Sequence, residues 1–172
     1  MCFFLGLSLS SIAWGSDDSS SDDSGSHDRD TVRSLPVNVA FMKECSACHF
    51  AYPARFLPAR SWTIMMNNLD EHFGENAELD LQVKQEIESY LVTHANKRMA
   101  RQANQLSEKD VPLAITELRW FTKEHRGIPR KLIRGNPQVK SLSNCVACHT
   151  GAEQGSFGER GIRIPNYGRW ED

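Results

Sequence analysis

The chain has 172 residues, of which 40% are hydrophobic, and its 20 basic and 22 acidic residues give a formal net charge of −2. From residue 31 onward there are 16 acidic and 19 basic residues, a net charge of only +3. This balance excludes the strongly basic character that nucleic-acid binding requires, so we expect no nucleic-acid partner.

Residues 1–15 resemble a secretory signal segment. They carry no charge, include the apolar run 2–7 and end with the small residues Ala13 and Gly15 on either side of Trp14. The run is shorter than the ~20 residues that a membrane span needs. We therefore expect removal of this segment, and with it Cys2, to leave an exported, soluble periplasmic protein without stable membrane insertion.

Residues 16–34 form a Ser- and Asp-rich leader. Six aspartates stand against Arg29 alone within residues 16–30. Such a segment cannot bury apolar area, so the leader is predicted to be disordered. His27 lies in it and is not expected to bind a metal.

The first half of the remaining chain, residues 35–105, contains a covalent attachment motif. Residues 37–44 predict a short helix that leads into the pentapeptide Cys45-Ser46-Ala47-Cys48-His49. The Cys-X-X-Cys-His pattern is typical of c-type haem attachment. Two cysteines on one side of a helical turn reach the two vinyl groups of a porphyrin, and the histidine supplies an axial nitrogen. The prediction is that Cys45 and Cys48 bind one haem c and that His49 is an iron ligand.

Two further helices are predicted in this half, with a loop between them. Pro58 starts the first helix, and the loop 70–76 contains His72. Asp80 caps the second helix, whose apolar face includes His94. The first helix carries an apolar stripe at helical spacing, made of Trp62, Met65, Met66 and Leu69.

The second half is assigned to residues 106–172; the polar stretch 97–110 precedes its predicted helices, and Pro112 marks the entry to them. Thr116 is predicted to cap a helix that carries Leu118, Phe121 and His125 on one side. Asn136-Pro137 is predicted to start a helix that runs into a second attachment motif. The Gly-rich tail 150–172 is expected to have no regular structure.

The second motif is Cys145-Val146-Ala147-Cys148-His149, which predicts attachment through Cys145 and Cys148 and an iron ligand in His149. The two motifs use four of the five cysteines, so the cofactor prediction is two covalently bound haem c groups. A four-thiolate zinc site is the alternative. Zinc needs no histidine directly after each cysteine pair, and reduced thiolates are not expected in an exported protein.

Each iron has a second axial position, on the face opposite the pentapeptide histidine. Residue spacing alone does not identify the residue that binds there. For the first haem the candidates are His72, His94, Met65 and Met66, and the loop position just before the last helix of its half favours His72. For the second haem His125 is the only uncommitted histidine after residue 105, although His94 could serve by crossing between the halves. The choice sets the chemistry, because axial ligands shift haem potentials over roughly 0.8 V.

Together these features resemble the bacterial dihaem cytochrome c family, whose members donate electrons to a small oxygen-binding one-haem cytochrome. The resemblance covers residues 38–168. Besides the two pentapeptides it rests on Trp62 with Met65 and Met66, His72-Phe73-Gly74, Tyr90-Leu91, Trp120-Phe121, His125-Arg126, Ile128-Pro129 and Ile164-Pro165.

The resemblance implies that both irons are bis-histidine, with His72 and His125 as the second ligands. The sequence contains no long run of period-2 alternation, so a mostly α protein with two small haem lobes is predicted. The resemblance implies that the first lobe (35–105) resembles a one-haem, class I cytochrome c fold. The second lobe (106–172) is expected to be an irregular helical haem lobe.

The functional hypothesis is an electron carrier rather than an enzyme. It would pass single electrons between a quinol-linked donor, such as a membrane b-type cytochrome, and a soluble oxygen-binding haem protein. The alternative is a haem enzyme (a dihaem peroxidase or reductase) or a gas-binding haem module. Either would need one exchangeable iron site, which does not exist if His72 and His125 both bind iron.

Overall fold

The structure is a computed structural model that describes residues 38–170. The predicted signal segment 1–15, the predicted leader 16–34, residues 35–37 and residues 171–172 lie outside the described residues, and so do Cys2 and His27. Between residues 38 and 170, no helix combines the length and the apolar character needed to cross a membrane.

The described part of the chain is mostly helical, which confirms the coarse prediction of fold class. The α-helices are α1 (Val39–Cys45), α2 (Ala59–Asn67), α3 (Leu81–Thr93), α4 (Lys97–Gln105), α5 (Arg119–His125) and α6 (Arg130–Ile133). Single-turn 3-10 helices lie at Ala54–Phe56, Leu69–Glu71, Glu108–Asp110, Ile115–Glu117, Cys145–Ala147, Ala152–Gln154 and Glu159–Gly161. Two short strands, β1 (Arg163–Ile164) and β2 (Gly168–Arg169), form an antiparallel pair.

Side-chain oxygens at helix starts explain two of these boundaries. Asn38 precedes α1 and its side chain accepts a hydrogen bond from the backbone N–H of Phe41 (2.7 Å). Asn96 precedes α4 and accepts from the N–H groups of Arg98 and Met99. Each bond satisfies N–H groups that the first helical turn leaves without a partner.

The larger hydrophobic core lies where α2 packs against α3. Trp62 and Met66 of α2 and Ile87 and Leu91 of α3 are buried there. The indole Nε1–H of Trp62 donates to the carbonyl of Ala54 (2.7 Å), which fixes the preceding 3-10 turn against α2.

Residues from beyond the predicted boundary at 105/106 belong to this same core. Ile115, Leu118 and Phe121 are buried in it. The helix that carries His125 is therefore packed against the first half of the chain. The division into domains 35–105 and 106–172 stays a prediction.

A smaller core holds the C-terminal part of the described chain. It is built from Ile133, Val139 and Ile164. Asn136 is buried beside it and donates from Nδ2 to the carbonyl of Pro165 (2.7 Å), which ties the turn after α6 to the strand pair.

The helix predicted to start at Asn136 is absent. The N–H groups of Val139 and Lys140 both bond to the carbonyl of Asn136, but Lys140 has φ +65°, and this left-handed position ends the turn. The side-chain oxygen of Asn136 also accepts from the N–H of Gln138 (3.1 Å), a local bond that competes with helix continuation.

Four other local predictions differ from the structure. Thr116 does not cap α5, because it lies within a 3-10 turn and α5 begins after Leu118. Asp80 directly precedes α3, but its side chain makes no capping hydrogen bond there. The polar stretch 97–110, for which no element was predicted, contains α4, and the carbonyls of Ala103 and of Leu106, the residue after the helix, accept from the Arg60 guanidinium (both 2.7 Å). The tail contains the β1–β2 pair, although no regular structure was expected there.

Candidate functional site

The first pentapeptide continues from the C-terminal end of α1. Cys45 is the last residue of α1, and Cys48 and His49 follow in the next turn. Burial raises the pKa of the Cys45 thiol to about 11. Nδ1 of His49 lies 2.7 Å from the carbonyl oxygen of Phe50. Because a carbonyl can only accept, Nδ1 carries the proton and Nε2 keeps its lone pair for a metal.

His72 lies in a tight turn, and its ring lies near the ring of His49. The carbonyl of His72 accepts from the N–H of Glu75 (3.2 Å), and the two residues between them adopt left-handed conformations (Phe73 φ +55°, Gly74 φ +92°). The ring centres of His72 and His49 are 6.0 Å apart and the ring planes differ by 17°. Burial, and then the nearby His49, lower the pKa of His72.

The second pentapeptide forms a single 3-10 turn, and the tail of the chain holds it in place. The turn spans Cys145–Ala147, and His149 comes two residues later. The N–H of Arg163, at the start of β1, donates to the carbonyl of Cys148 (2.8 Å). Cys145 is buried, and burial raises the pKa of its thiol to about 11.

His125 and His149 form the second facing pair. Their ring centres are 6.2 Å apart and their planes differ by 65°. His125 is the last residue of α5, and Nδ1 donates to the carbonyl of Phe121 (2.9 Å). The Phe121 ring stacks on His125 with centres 3.9 Å apart and planes 13° apart.

His149 is the more enclosed member of this pair. Its Nδ1 is buried and has no hydrogen-bond partner within residues 38–170. Burial, and then the nearby His125, lower the pKa of His149. Both effects favour the neutral imidazole, which is the form that binds a metal.

The other candidate ligands lie elsewhere. His94 caps the C-terminal end of α3, where Nδ1 donates to the carbonyl of Tyr90 (2.8 Å) and the two rings lie 4.8 Å apart. Met66 is buried in the larger core and Met65 packs against it. The ring contacts pair His49 with His72 and His125 with His149, and they leave His94 beside Tyr90.

The spacing of both pairs fits an iron between them. With metal–nitrogen bonds of about 2.0 Å and about 1.1 Å from each nitrogen to its ring centre, two imidazoles facing across one metal have centres about 6.2 Å apart. The observed 6.0 Å and 6.2 Å agree with this value. For the zinc alternative, residues 38–170 contain no cluster of three or more Cys, His, Asp or Glu side chains that could hold a metal ion.

Residues 41–157 match the family model for dihaem cytochrome c. The chain belongs to the dihaem cytochrome c family. Its members carry two covalently bound haem c groups, so the cofactor prediction is confirmed, and the cysteines of the two pentapeptides are the residues that would attach them.

Solved structures of this family are similar over most of the chain. A dihaem cytochrome c from Shewanella baltica OS155 is 43% identical, with a TM-score of 0.68, and the match covers 80% of this chain and all of that one. A dihaem cytochrome c from Rhodobacter sphaeroides is 45% identical, with a TM-score of 0.62, over 72% of this chain and 98% of that one. A search of curated proteins found no significant match.

Aromatic contacts join the regions of the two histidine pairs, and the sequence did not predict them. Phe157, in the Gly-rich tail, contacts the rings of His149 (5.5 Å), Phe50 (6.3 Å) and Phe56 (4.9 Å). Tyr52 donates to the carbonyl of Ser143 (2.7 Å) across the same junction. The only sequence signal was a single aromatic residue among glycines, which does not reveal its contacts.

Proposed function

We propose that this dihaem cytochrome is a periplasmic electron carrier in which both irons are bis-histidine. His49 and His72 would bind the first iron, and His149 and His125 the second. The observation that carries the proposal is the pair of imidazole separations, 6.0 Å and 6.2 Å, each of which suits one iron between two rings. The family is consistent with electron transfer.

The residues around each pair hold the ligand nitrogens in place. Hydrogen bonds from Nδ1 to backbone carbonyls fix the ring of His49 on Phe50 and the ring of His125 on Phe121. Such bonds orient the ring and increase its basicity as a ligand. Each haem would supply one-electron cycling of its iron, and two histidines on each iron would leave no position for a substrate.

The electron path in this proposal joins a membrane and a soluble partner. A quinol-linked b-type cytochrome would supply single electrons, and a soluble oxygen-binding haem protein would accept them. Bis-histidine ligation supports the second transfer, from this protein to the soluble acceptor, because histidine pairs give lower potentials than ligation that includes methionine. Cell fractionation tests the location: the holoprotein should appear in the osmotic-shock fraction, and recovery with the cytoplasmic proteins would contradict it.

Replacement of individual histidines tests the ligand assignment. In the oxidised holoprotein, His72→Ala and His125→Ala should each convert one haem to high spin and leave the other low spin, as measured by EPR and optical spectra. His94→Ala is the matched control and should leave both haems low spin.

Three outcomes would contradict the proposal. The first is a wild-type protein with a high-spin ferric signal that readily takes up cyanide or carbon monoxide, which would favour a haem enzyme or gas-binding module. The second is a His72→Ala protein in which both haems stay low spin. The third is loss of a low-spin signal in His94→Ala, which would make His94 the ligand.

A further inference from the structure

Six exposed basic side chains lie close together in the chain, on α5, on α6 and on the residues that adjoin them. This surface, the cationic face, consists of Arg119, Lys123, Arg126, Arg130, Lys131 and Arg134. The three members on or next to α5 are spaced i, i+4 and i+7, so they lie within about 60° of one another around the helix axis. The other three follow on α6 and the residue after it.

The cationic face lies on the outer side of the helix that carries His125. At 100° per residue, Phe121 and His125 point about 150° away from the basic residues of α5. Phe121 is buried and its ring stacks on His125, so the opposite side of α5 faces solvent. About one helix diameter, ~10 Å, therefore separates the cationic face from this histidine.

The charges of this face are almost entirely unbalanced within the described chain. From residue 119 to residue 134 there are six basic residues and one acidic residue, Glu124. Among residues 38–170, the only ion pair that involves the face joins Lys123 to Glu124 at 3.8 Å, with side chains 71% and 59% exposed. Exposed pairs of this kind contribute little to stability. The clustered charge therefore has no evident structural role and is available to an anionic partner.

The opposite charge lies beside the other histidine pair. Residues 70–80, which include His72, contain five exposed acidic residues and no basic one: Asp70, Glu71, Glu75, Glu78 and Asp80. Acidic charge thus surrounds the His72 turn, and basic charge covers the helix of His125. A charged molecule that approaches this protein would therefore meet fields of opposite sign near the two histidine pairs.

We propose that the cationic face is the docking surface for an acidic redox protein, which exchanges electrons at the His125 side of the molecule. This inference rests on the proposed electron-carrier function and adds the chemistry of one partner. Trp120 lies at the edge of the face, is 38% exposed and packs against Phe56, so it offers a fixed aromatic contact. Tryptophan and arginine are enriched in protein interfaces.

The test compares two reductants of opposite charge that react with the oxidised holoprotein. A reduced plant-type ferredoxin, an acidic protein, should dock on the cationic face, whereas the methyl viologen radical cation should not. Stopped-flow measurement at low ionic strength should give about a tenfold lower second-order rate constant with ferredoxin for K123Q/R126Q/R130Q than for the wild type. The difference should disappear at high salt, and the rate constant with methyl viologen should stay within twofold.

The matched control neutralises the same number of charges on the other side. D70N/E71Q/E75Q should keep or increase the rate constant with ferredoxin. An unchanged ferredoxin rate constant in K123Q/R126Q/R130Q, or a loss in the control variant instead, would overturn the proposal. If haem propionates neutralised the cationic face, the ferredoxin rate constant would be unchanged in K123Q/R126Q/R130Q.

Wild-type measurements keep the proposal testable if a variant does not fold. The wild-type rate constant with ferredoxin should fall as ionic strength rises, and a rise would overturn the proposal. Tight binding to a duplex oligonucleotide at physiological salt would overturn the choice of an acidic protein as the partner. Failure of methyl viologen itself to reduce the protein would instead count against the electron-carrier function.

Discussion

Replacing Phe121 by leucine tests whether one stacked side chain holds the orientation of the His125 imidazole. Phe121 is only 4% exposed, and its ring lies 3.9 Å from the His125 ring at an angle of 13°. Leucine keeps the position hydrophobic but removes the flat surface against which the imidazole packs.

The expected destabilisation follows from two contributions. Loss of the stacked pair costs about 0.5–1.5 kcal/mol, and the smaller side chain leaves unfilled space worth about 1 kcal/mol. Together they should lower the free energy of unfolding by about 2 kcal/mol, or roughly thirtyfold in the ratio of folded to unfolded protein. Guanidinium titration of the holoprotein, followed by far-UV circular dichroism, measures this change.

EPR of the oxidised holoprotein reports on the ring orientation directly. If each pair binds one iron, as proposed, the nearly parallel imidazoles of the 17° pair would split the iron d orbitals strongly and give a rhombic signal. The 65° pair would leave them closer to degenerate and give a larger g anisotropy. With Phe121→Leu, freedom of the His125 ring should broaden or shift the second signal and leave the first unchanged.

The control is Phe41→Leu, at an equally buried phenylalanine that packs against Tyr90 instead of a facing histidine pair. It should lower stability without altering the more anisotropic signal. If that signal has the wild-type shape in folded Phe121→Leu protein, stacking does not hold the ring and the reasoning is refuted.

Three further substitutions should lower the free energy of unfolding, as measured by denaturant titration of the holoprotein. Trp62→Phe removes the donor to the buried carbonyl of Ala54, at a cost of about 1–3 kcal/mol. Asn136→Ala removes the bond to the carbonyl of Pro165, at a cost of about 2 kcal/mol, and should speed amide hydrogen exchange in residues 163–169. Gly135→Ala would place a Cβ atom 2.8 Å from a backbone oxygen of α6, and the required shift should cost about 1–2 kcal/mol.

Each of these substitutions has a counterpart in a less constrained place. Trp120→Phe, at a partly exposed tryptophan, and Asn76→Ala, in an exposed turn, should both change stability by less than about 0.5 kcal/mol. Gly161→Ala meets only Thr150 at an ordinary 3.4 Å and should cost less than Gly135→Ala. Equal losses within any of the three pairs would mean that the named contact is not what stabilises the position.

The sequence predicted the haem attachment sites, because attachment depends on residues that are neighbours in the chain. The two Cys-X-X-Cys-His pentapeptides specify covalent attachment through groups a few positions apart, and the dihaem cytochrome c family confirms the cofactor. The helices with clear apolar periodicity, α2 and α3, were also predicted correctly. By contrast, the predicted helix at Asn136 failed because local side-chain bonds and the left-handed Lys140 ended it after one turn.

Only the tertiary structure decided which histidines face each other. His72, His94 and His125 were all candidates, because each is a histidine on a plausible loop or apolar face. Packing of α5 against the first half of the chain and the turn at Phe73 bring two of them to within about 6 Å of the pentapeptide histidines, and the third stays beside Tyr90. Sequence motifs record contacts between chain neighbours, whereas a ligand on the opposite face of an iron comes from a distant segment whose position depends on the packing of the core.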